Sequence, residues 1–171
     1  MIQKGRYRTW TKQVDKSKKL VCLQYAMWTL AASLSSQFQM VREGLYTEAR
    51  RLLYDLELDT SEIGSPSLEY AQAWILIAIY EWTSNDYTRS LMSAGRAFRS
   101  AQLLRLHELD GASSLGSWTE DWVALESGRR TFWIAYTIDC ITAIHGGLPL
   151  TFNEEGVGLP IPQNHTERPK C

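Results

Sequence analysis

The stretch Ala71-Gln72-Ala73-Trp74-Ile75-Leu76-Ile77-Ala78-Ile79-Tyr80-Glu81-Trp82-Thr83, followed by Ser84-Asn85-Asp86, decides the fold. From Ala71 to Tyr80 only Gln72 breaks an apolar run, and polar and apolar positions do not alternate. Such a run reads as a helix that is apolar on nearly all sides and therefore central in a helical core. Ser65-Pro66 marks its start, because proline at the first helical position gives up a donor that has no intrahelical partner anyway. The triplet Ser84-Asn85-Asp86 is so short that the helix beyond it must run back antiparallel, as an αα-hairpin.

The returning helix, about 86–106, lines one face with Leu91, Ala94, Phe98, Ala101 and Leu104 and carries Arg89, Arg96, Arg99 and Arg105 on others. Upstream, Leu20, Leu23, Met27, Leu30 and Leu34 recur at helical spacing over about 16–38. Over 41–57, Leu45, Ala49, Leu52, Leu53 and Leu56 oppose Arg42, Glu48, Arg50, Arg51 and Asp55, the pattern of an amphipathic surface helix. Downstream, Ser117 and Glu120 read as a capping box that opens a fifth helix, about 119–145, closed by Gly146. Within it Phe132, Trp133, Tyr136, Cys140 and Ala143 make the expected buried stripe. Glycines and prolines between Leu148 and Pro162 read as an extended tail across the helices. The expectation is an all-α fold of about five helices in antiparallel pairs with an extended C-terminal tail. Residues 1–19 form a basic leader, 20–162 the helical domain and 163–171 an unstructured tail.

Composition narrows the function classes. Seven tryptophans require a well-formed interior or interface that also gives their indole N–H groups partners. The net charge of −1 hides an uneven distribution. Lys4, Arg6, Arg8, Lys12, Lys16, Lys18 and Lys19 face the single acid Asp15 in the leader, and the remainder is acidic. Without aromatic or glycine patterning for base stacking, the leader reads as a solvated lead-in rather than a nucleic-acid arm. Cys22, Cys140 and Cys171 are too widely spaced for a zinc site and fit reduced intracellular thiols. The uncharged run from Leu20 to Leu34 falls short of the ~20 residues of a membrane span, so no membrane partner is expected.

Catalytic constellations are weak. His107-Glu108-Leu109-Asp110 is the one dense ligand cluster, but neighbouring positions point apart and no H-E-x-x-H spacing exists, so it reads as a polar helix end. No phosphate loop, nucleophile elbow or Cys/His pair appears. Trp74, Ile77 and Ala78 fit the start of a tetratricopeptide pattern, yet no second copy follows. Glu126 and Arg130 stand in the favourable i, i+4 order. Asp139 lies in an apolar stretch and needs a cation or several donors, for which Arg96 or Arg99 are the expected partners, in a structural rather than a catalytic role. No catalytic, metal-binding or DNA-binding residue is expected, and no enzyme.

A set of local motifs carries a family resemblance: Asp121-Trp122, Glu126, Arg129-Arg130-Thr131-Phe132-Trp133, Asp139, Gly147-Leu148-Pro149-Leu150 and Leu159-Pro160. Ser93-Ala94-Gly95-Arg96-Ala97-Phe98 with Leu106-His107, and Cys22-Leu23-Gln24-Tyr25-Ala26-Met27-Trp28-Thr29-Leu30, add to it. In this order they resemble the fungal-specific regulatory domain, or middle homology region, of the six-cysteine zinc-cluster transcription factors, over roughly residues 21–162. Gly128 stands where the family often has a charged residue, and Cys140 where an arginine commonly follows the aspartate. The resemblance implies a nuclear regulator of RNA polymerase II transcription, with helix packing and protein or self-contacts as its means. The motif residues Trp122, Glu126, Arg129, Arg130, Phe132, Trp133, Asp139, Pro149, Leu159 and Pro160 are then structural. Zinc and DNA contacts are expected only in a zinc cluster that this chain lacks, and 20–162 corresponds to part of the regulatory domain. The first-helix motif, Cys22 to Leu30, resembles most that of factors that control secondary-metabolite gene clusters. The rival readings are a free-standing helical interaction module that modulates a full-length relative, and an all-helical enzyme built around His107 and Asp139.

Overall fold

The computed structural model describes residues 2, 4–11, 16–58, 67–109 and 122–152, and these form an all-α fold. In chain order the helices are α1 (Lys4–Thr11), α2 (Lys18–Ser33), α3 (Gln39–Leu58), α4 (Leu68–Thr83), α5 (Tyr87–Leu103) and α6 (Trp122–Gly146). Short 3-10 turns at Ser36–Phe38 and Leu106–Glu108 follow α2 and α5. Among the described residues there is no strand, and no helix is long and apolar enough to cross a membrane.

Side-chain caps set where three of these helices begin. The Ser17 hydroxyl accepts the Leu20 N–H at 3.4 Å, Ser67 accepts that of Tyr70 at 3.2 Å and Asp86 that of Arg89 at 3.2 Å. Each cap satisfies a donor that the helix itself leaves unpaired. Ser65-Pro66 and the Ser117/Glu120 box lie outside the described residues.

The long helix expected over 16–38 is instead interrupted after Ser33. Leu34 and Ser35 donate to carbonyls three residues back, Ala31 and Ala32, which tightens the last turn. The run Ser33-Leu34-Ser35-Ser36 favours this break, because serine side chains compete for nearby backbone groups. The basic leader also differs from a purely solvated segment, since Lys4–Thr11 is helical. Tyr7 and Trp10 meet edge to face at 5.8 Å, the Trp28 indole donates to the Tyr7 hydroxyl at 3.4 Å, and Ile2 and Trp10 pack on the core.

α4 is the centre, as its sequence requires: it packs against α2, α3, α5 and α6, and every residue from Ala71 to Ala78 is buried. The turn to α5 places Asn85 at φ +61° and returns the Asp86 N–H to the Glu81 carbonyl at 2.9 Å. Asparagine tolerates this left-handed conformation better than most residues. On α5, Ser90, Ser93, Ala94, Ala97 and Ala101 present small buried side chains to the core, and Ser90 Oγ donates to the Ala78 carbonyl at 2.8 Å.

α6 turns a different face inward from the expected stripe. The buried residues are Gly128, Thr131, Phe132, Ala135, Asp139 and Thr142, whereas Trp133, Tyr136 and Cys140 are half-buried. α6 is apolar nearly all round, so hydrophobicity alone carries little directional information. Polar residues that find partners inside choose the face.

Candidate functional site

The family-motif residues of α6 fall into three packed groups. At its N-terminal end Glu126 receives hydrogen bonds from Arg130 Nε at 2.6 Å and Arg129 Nη1 at 2.9 Å. Burial works to raise the Glu126 carboxyl, but the two arginines outweigh it and hold it below the ordinary carboxylate range. Trp122, at the first turn, is exposed.

One turn further, Thr131 accepts the Gln72 side-chain amide at 2.9 Å, and Ser127 accepts the same amide at 3.2 Å. Gln72 is the residue that interrupts the apolar run of α4, and this contact gives the interruption its reason. Beside it Gly128 lets the turn after α5 come close, since a Cβ there would stand 3.0 Å from Leu109 Cδ1.

The third group joins α6 to the segment after it. Gly147 adopts φ +61° and the Leu148 N–H returns to the Ala143 carbonyl at 3.1 Å, a Schellman stop that reverses the chain. Asp139, only 2% exposed, then accepts the backbone N–H groups of Thr151 at 2.8 Å and Phe152 at 2.9 Å. Phe152 inserts between Phe98, Phe132 and Tyr136, with ring centroids 5.5, 5.3 and 6.5 Å away. The expected cation is therefore replaced by two backbone donors. Arg96 pairs with Glu57 at 2.9 Å and Arg99 is exposed. Two N–H groups of a chain already folded over the carboxylate satisfy it without ordering a long arginine side chain. Pro149 is exposed on this segment, and Leu159 and Pro160 lie outside the described residues.

A second cluster, between α3, α4 and α5, escaped the sequence reading. Arg50, expected on a solvated face, turns inward to Glu81 at 2.6 Å and Ser93 at 2.9 Å, and it also donates to the Tyr54 hydroxyl. Tyr46 donates to the same Glu81 oxygen at 2.6 Å. Burial, then this hydrogen bond, push the Tyr46 phenol up to about 12. Arg50 and Arg96 both lie over the rings of Tyr54 and Trp74, between 4.9 and 5.4 Å from the centroids. Glu57 joins Arg96 to Tyr70, whose hydroxyl donates to it at 2.8 Å. The sequence clue was Glu81 itself, a carboxylate directly after an all-round apolar run, which demands a buried cation.

These groups join α6 to α4 and to the segment after it, and α3 to α4 and α5. Among the described residues no three His, Cys, Asp or Glu side chains are grouped to hold a metal ion. His107 pairs with Glu108 at 3.0 Å, and Arg105 holds the same carboxylate. Asp139 is consumed by backbone donors, far from the role of an acid-base pair.

The chain is 46% identical over 170 residues to the pigment biosynthesis transcriptional activator of Monascus ruber, covering 95% of this chain and 31% of that protein. It is 43% identical to an azaphilone cluster-specific transcription factor of Aspergillus niger, over 96% of this chain and 37% of the relative. A citrinin biosynthesis transcriptional activator of Monascus ruber is 39% identical, over 95% and 32% respectively. The chain thus spans about a third of the length of these curated relatives. No solved structure matches it. The fungal-specific transcription factor domain matches residues 3–168, and the chain belongs to that family, whose members named here are regulators of transcription and not enzymes.

Proposed function

We propose that the chain is the helical regulatory region of a nuclear transcription regulator that controls RNA polymerase II genes of a secondary-metabolite cluster. The observation that carries this is the identity of 39–46% to three biosynthetic-cluster regulators over at least 95% of the chain. The helices act by packing and by contacts with protein partners. The motif residues Glu126, Arg129, Arg130, Thr131, Phe132 and Asp139 keep α6 and the segment after it in register with α4 and α5. DNA is read through a zinc cluster outside these residues. Cys22 and Cys140 sit on separate helices, Cys22 fully buried, and do not fit zinc ligation.

The test is removal of the gene in the source fungus, with transcripts of the neighbouring biosynthetic genes measured under producing conditions. Their level should change several-fold. Unchanged transcripts would defeat the reading.

A further inference from the structure

Three contacts hold down the far end of the segment after α6. Asp139 Oδ2 accepts the N–H groups of Thr151 and Phe152, the Gln102 amide donates to the Thr151 carbonyl at 3.4 Å, and the Phe152 ring sits among Phe98, Phe132 and Tyr136. Leu148, Pro149, Leu150 and Thr151 are all exposed along this strap. Thr151 therefore combines two properties. Its residue faces water outside any helix, and its backbone N–H is held by a carboxylate that is 2% exposed.

The sequence that follows Thr151 gives this position a chemistry. Phe152-Asn153-Glu154-Glu155 sets carboxylates three and four positions after the hydroxyl. Acidophilic protein kinases select that spacing, because basic side chains in their peptide grooves pair with acids placed there. In the transfer, Thr151 Oγ1 attacks the γ-phosphorus of ATP held by the kinase. The bond from that phosphorus to the β-phosphate oxygen breaks, ADP leaves, and the hydroxyl proton passes to the kinase's base. A neutral side chain then carries a charge of about −1.5 to −2 at pH 7.

That charge falls on the residue whose nitrogen lies 2.8 Å from Asp139 Oδ2. Two anions meet where water screens them little, and the described partners of Asp139 are backbone donors rather than a cation. The phosphate oxygens also compete for the N–H of their own residue, the donor that Asp139 uses. A phosphate beside a carboxylate disrupts the local fold by repulsion. We propose that Thr151 is a phosphorylation site of an acidophilic protein kinase, and that the phosphate breaks the Asp139 contact and lifts Phe152 out of the core. The kinase takes the strap when it has swung free, and the phosphate then keeps it from closing. This goes beyond the regulatory reading and does not depend on it.

The test treats the whole chain with ATP and a purified acidophilic kinase, maps the phosphate by mass spectrometry and follows hydrogen exchange. Phosphate should appear at Thr151, and exchange at the Phe152 amide should accelerate about tenfold or more. The amides of α4 should stay protected, since the opening is local. Thr151→Val should take no phosphate at that position and keep the slow exchange of the untreated chain. Thr151→Glu, with a single charge, should accelerate it in part. Ser117 also has acids at the third and fourth following positions, Glu120 and Asp121, and phosphate found there alone would overturn the site. A phosphorylated Thr151 whose Phe152 amide exchanges no faster than before would overturn the switch. Either result would leave the transcript test of the regulatory reading standing on its own.

Discussion

One carboxylate oxygen of Asp139 accepts the backbone N–H groups of both Thr151 and Phe152, at 2.8 and 2.9 Å. The relationship closes a loop of thirteen residues and fixes the aromatic ring of Phe152 in the core. Asp139→Ala should lower unfolding stability by about 2–4 kcal/mol, because it removes a charged acceptor and strands a buried N–H. Asp139→Asn keeps one acceptor oxygen and should cost roughly half as much. Urea titration measures the difference, and hydrogen exchange at the Phe152 amide should accelerate in step. An unchanged midpoint in Asp139→Ala would show that the bond is not maintained in solution.

Glu81 is 2% exposed, and its Arg50 partner keeps only 17% of its side chain in water. Removing one member leaves the other buried and uncompensated. Arg50→Met and Glu81→Leu alone should each destabilise by about 3–5 kcal/mol, while the double variant should recover much of that loss. Thermal unfolding of the four proteins forms the cycle. Additive losses would mean that the two groups are not coupled.

Neighbouring aromatics on α6 should behave unequally. Phe132 has no exposed surface, whereas Trp133 is half-buried on the outer side. Phe132→Ala should cost about 3–5 kcal/mol and Trp133→Ala appreciably less, since part of its surface already faces water. Equal losses in denaturant titrations would place the tryptophan inside a core that the fold does not give it.

Alkaline stability follows from two buried acids. Burial above all pushes the Cys22 thiol up to about 12, and burial with the Glu81 contact does the same to Tyr46. Both groups are neutral in the fold and ionise more readily when unfolded. Their contribution is complete below about pH 9, the ordinary thiol range, and drains away as the pH climbs toward 12. Stability measured between pH 9 and 12 should fall by a few kcal/mol, on the order of the shifts multiplied by 1.36 kcal/mol per unit. Cys22→Ala should flatten the first part of that decline. A flat profile in the wild type would contradict the burial of both groups.

Gly128 offers a separate check on packing. A Cβ there meets Leu109 at 3.0 Å, so a β-branched side chain has nowhere to go without moving the turn after α5. Gly128→Val should destabilise by about 1–3 kcal/mol despite valine's better helix propensity, read as a drop in melting temperature.

The helices α2 to α6, their order and the central place of α4 were legible because long apolar runs and short polar turns constrain the chain locally, whereas α1, in the basic leader, was not. The Ala71–Tyr80 run could belong nowhere but the middle. The inward face of α6 was not legible, because Thr131 and Asp139 are polar and their partners, Gln72 and the Thr151 and Phe152 amides, come from distant or non-side-chain sources. For the same reason Arg96 seemed the natural mate for Asp139, although Glu57 on α3 takes it. Arg50 was misplaced because an i, i+4 pattern assigns faces to a helix but cannot see that a carboxylate on another helix, Glu81, needs a cation. Motif residues were located by resemblance; of them Phe132 and Asp139 are buried, Trp122 and Pro149 are exposed, and Leu159 and Pro160 lie outside the described residues.

The left-handed turn at Gly147 has a bearing on how a longer polypeptide is threaded. With the chain folded back and pinned at Asp139, anything connected through Phe152 sets out from beside the middle of α6 rather than from its tip, a displacement of roughly 10 Å along the helix axis for seven residues of rise. The reach of a tether, and the side from which a joined domain approaches, are counted from that inner anchor. Cutting the Asp139 bonds would let out slack and enlarge the volume such a domain explores.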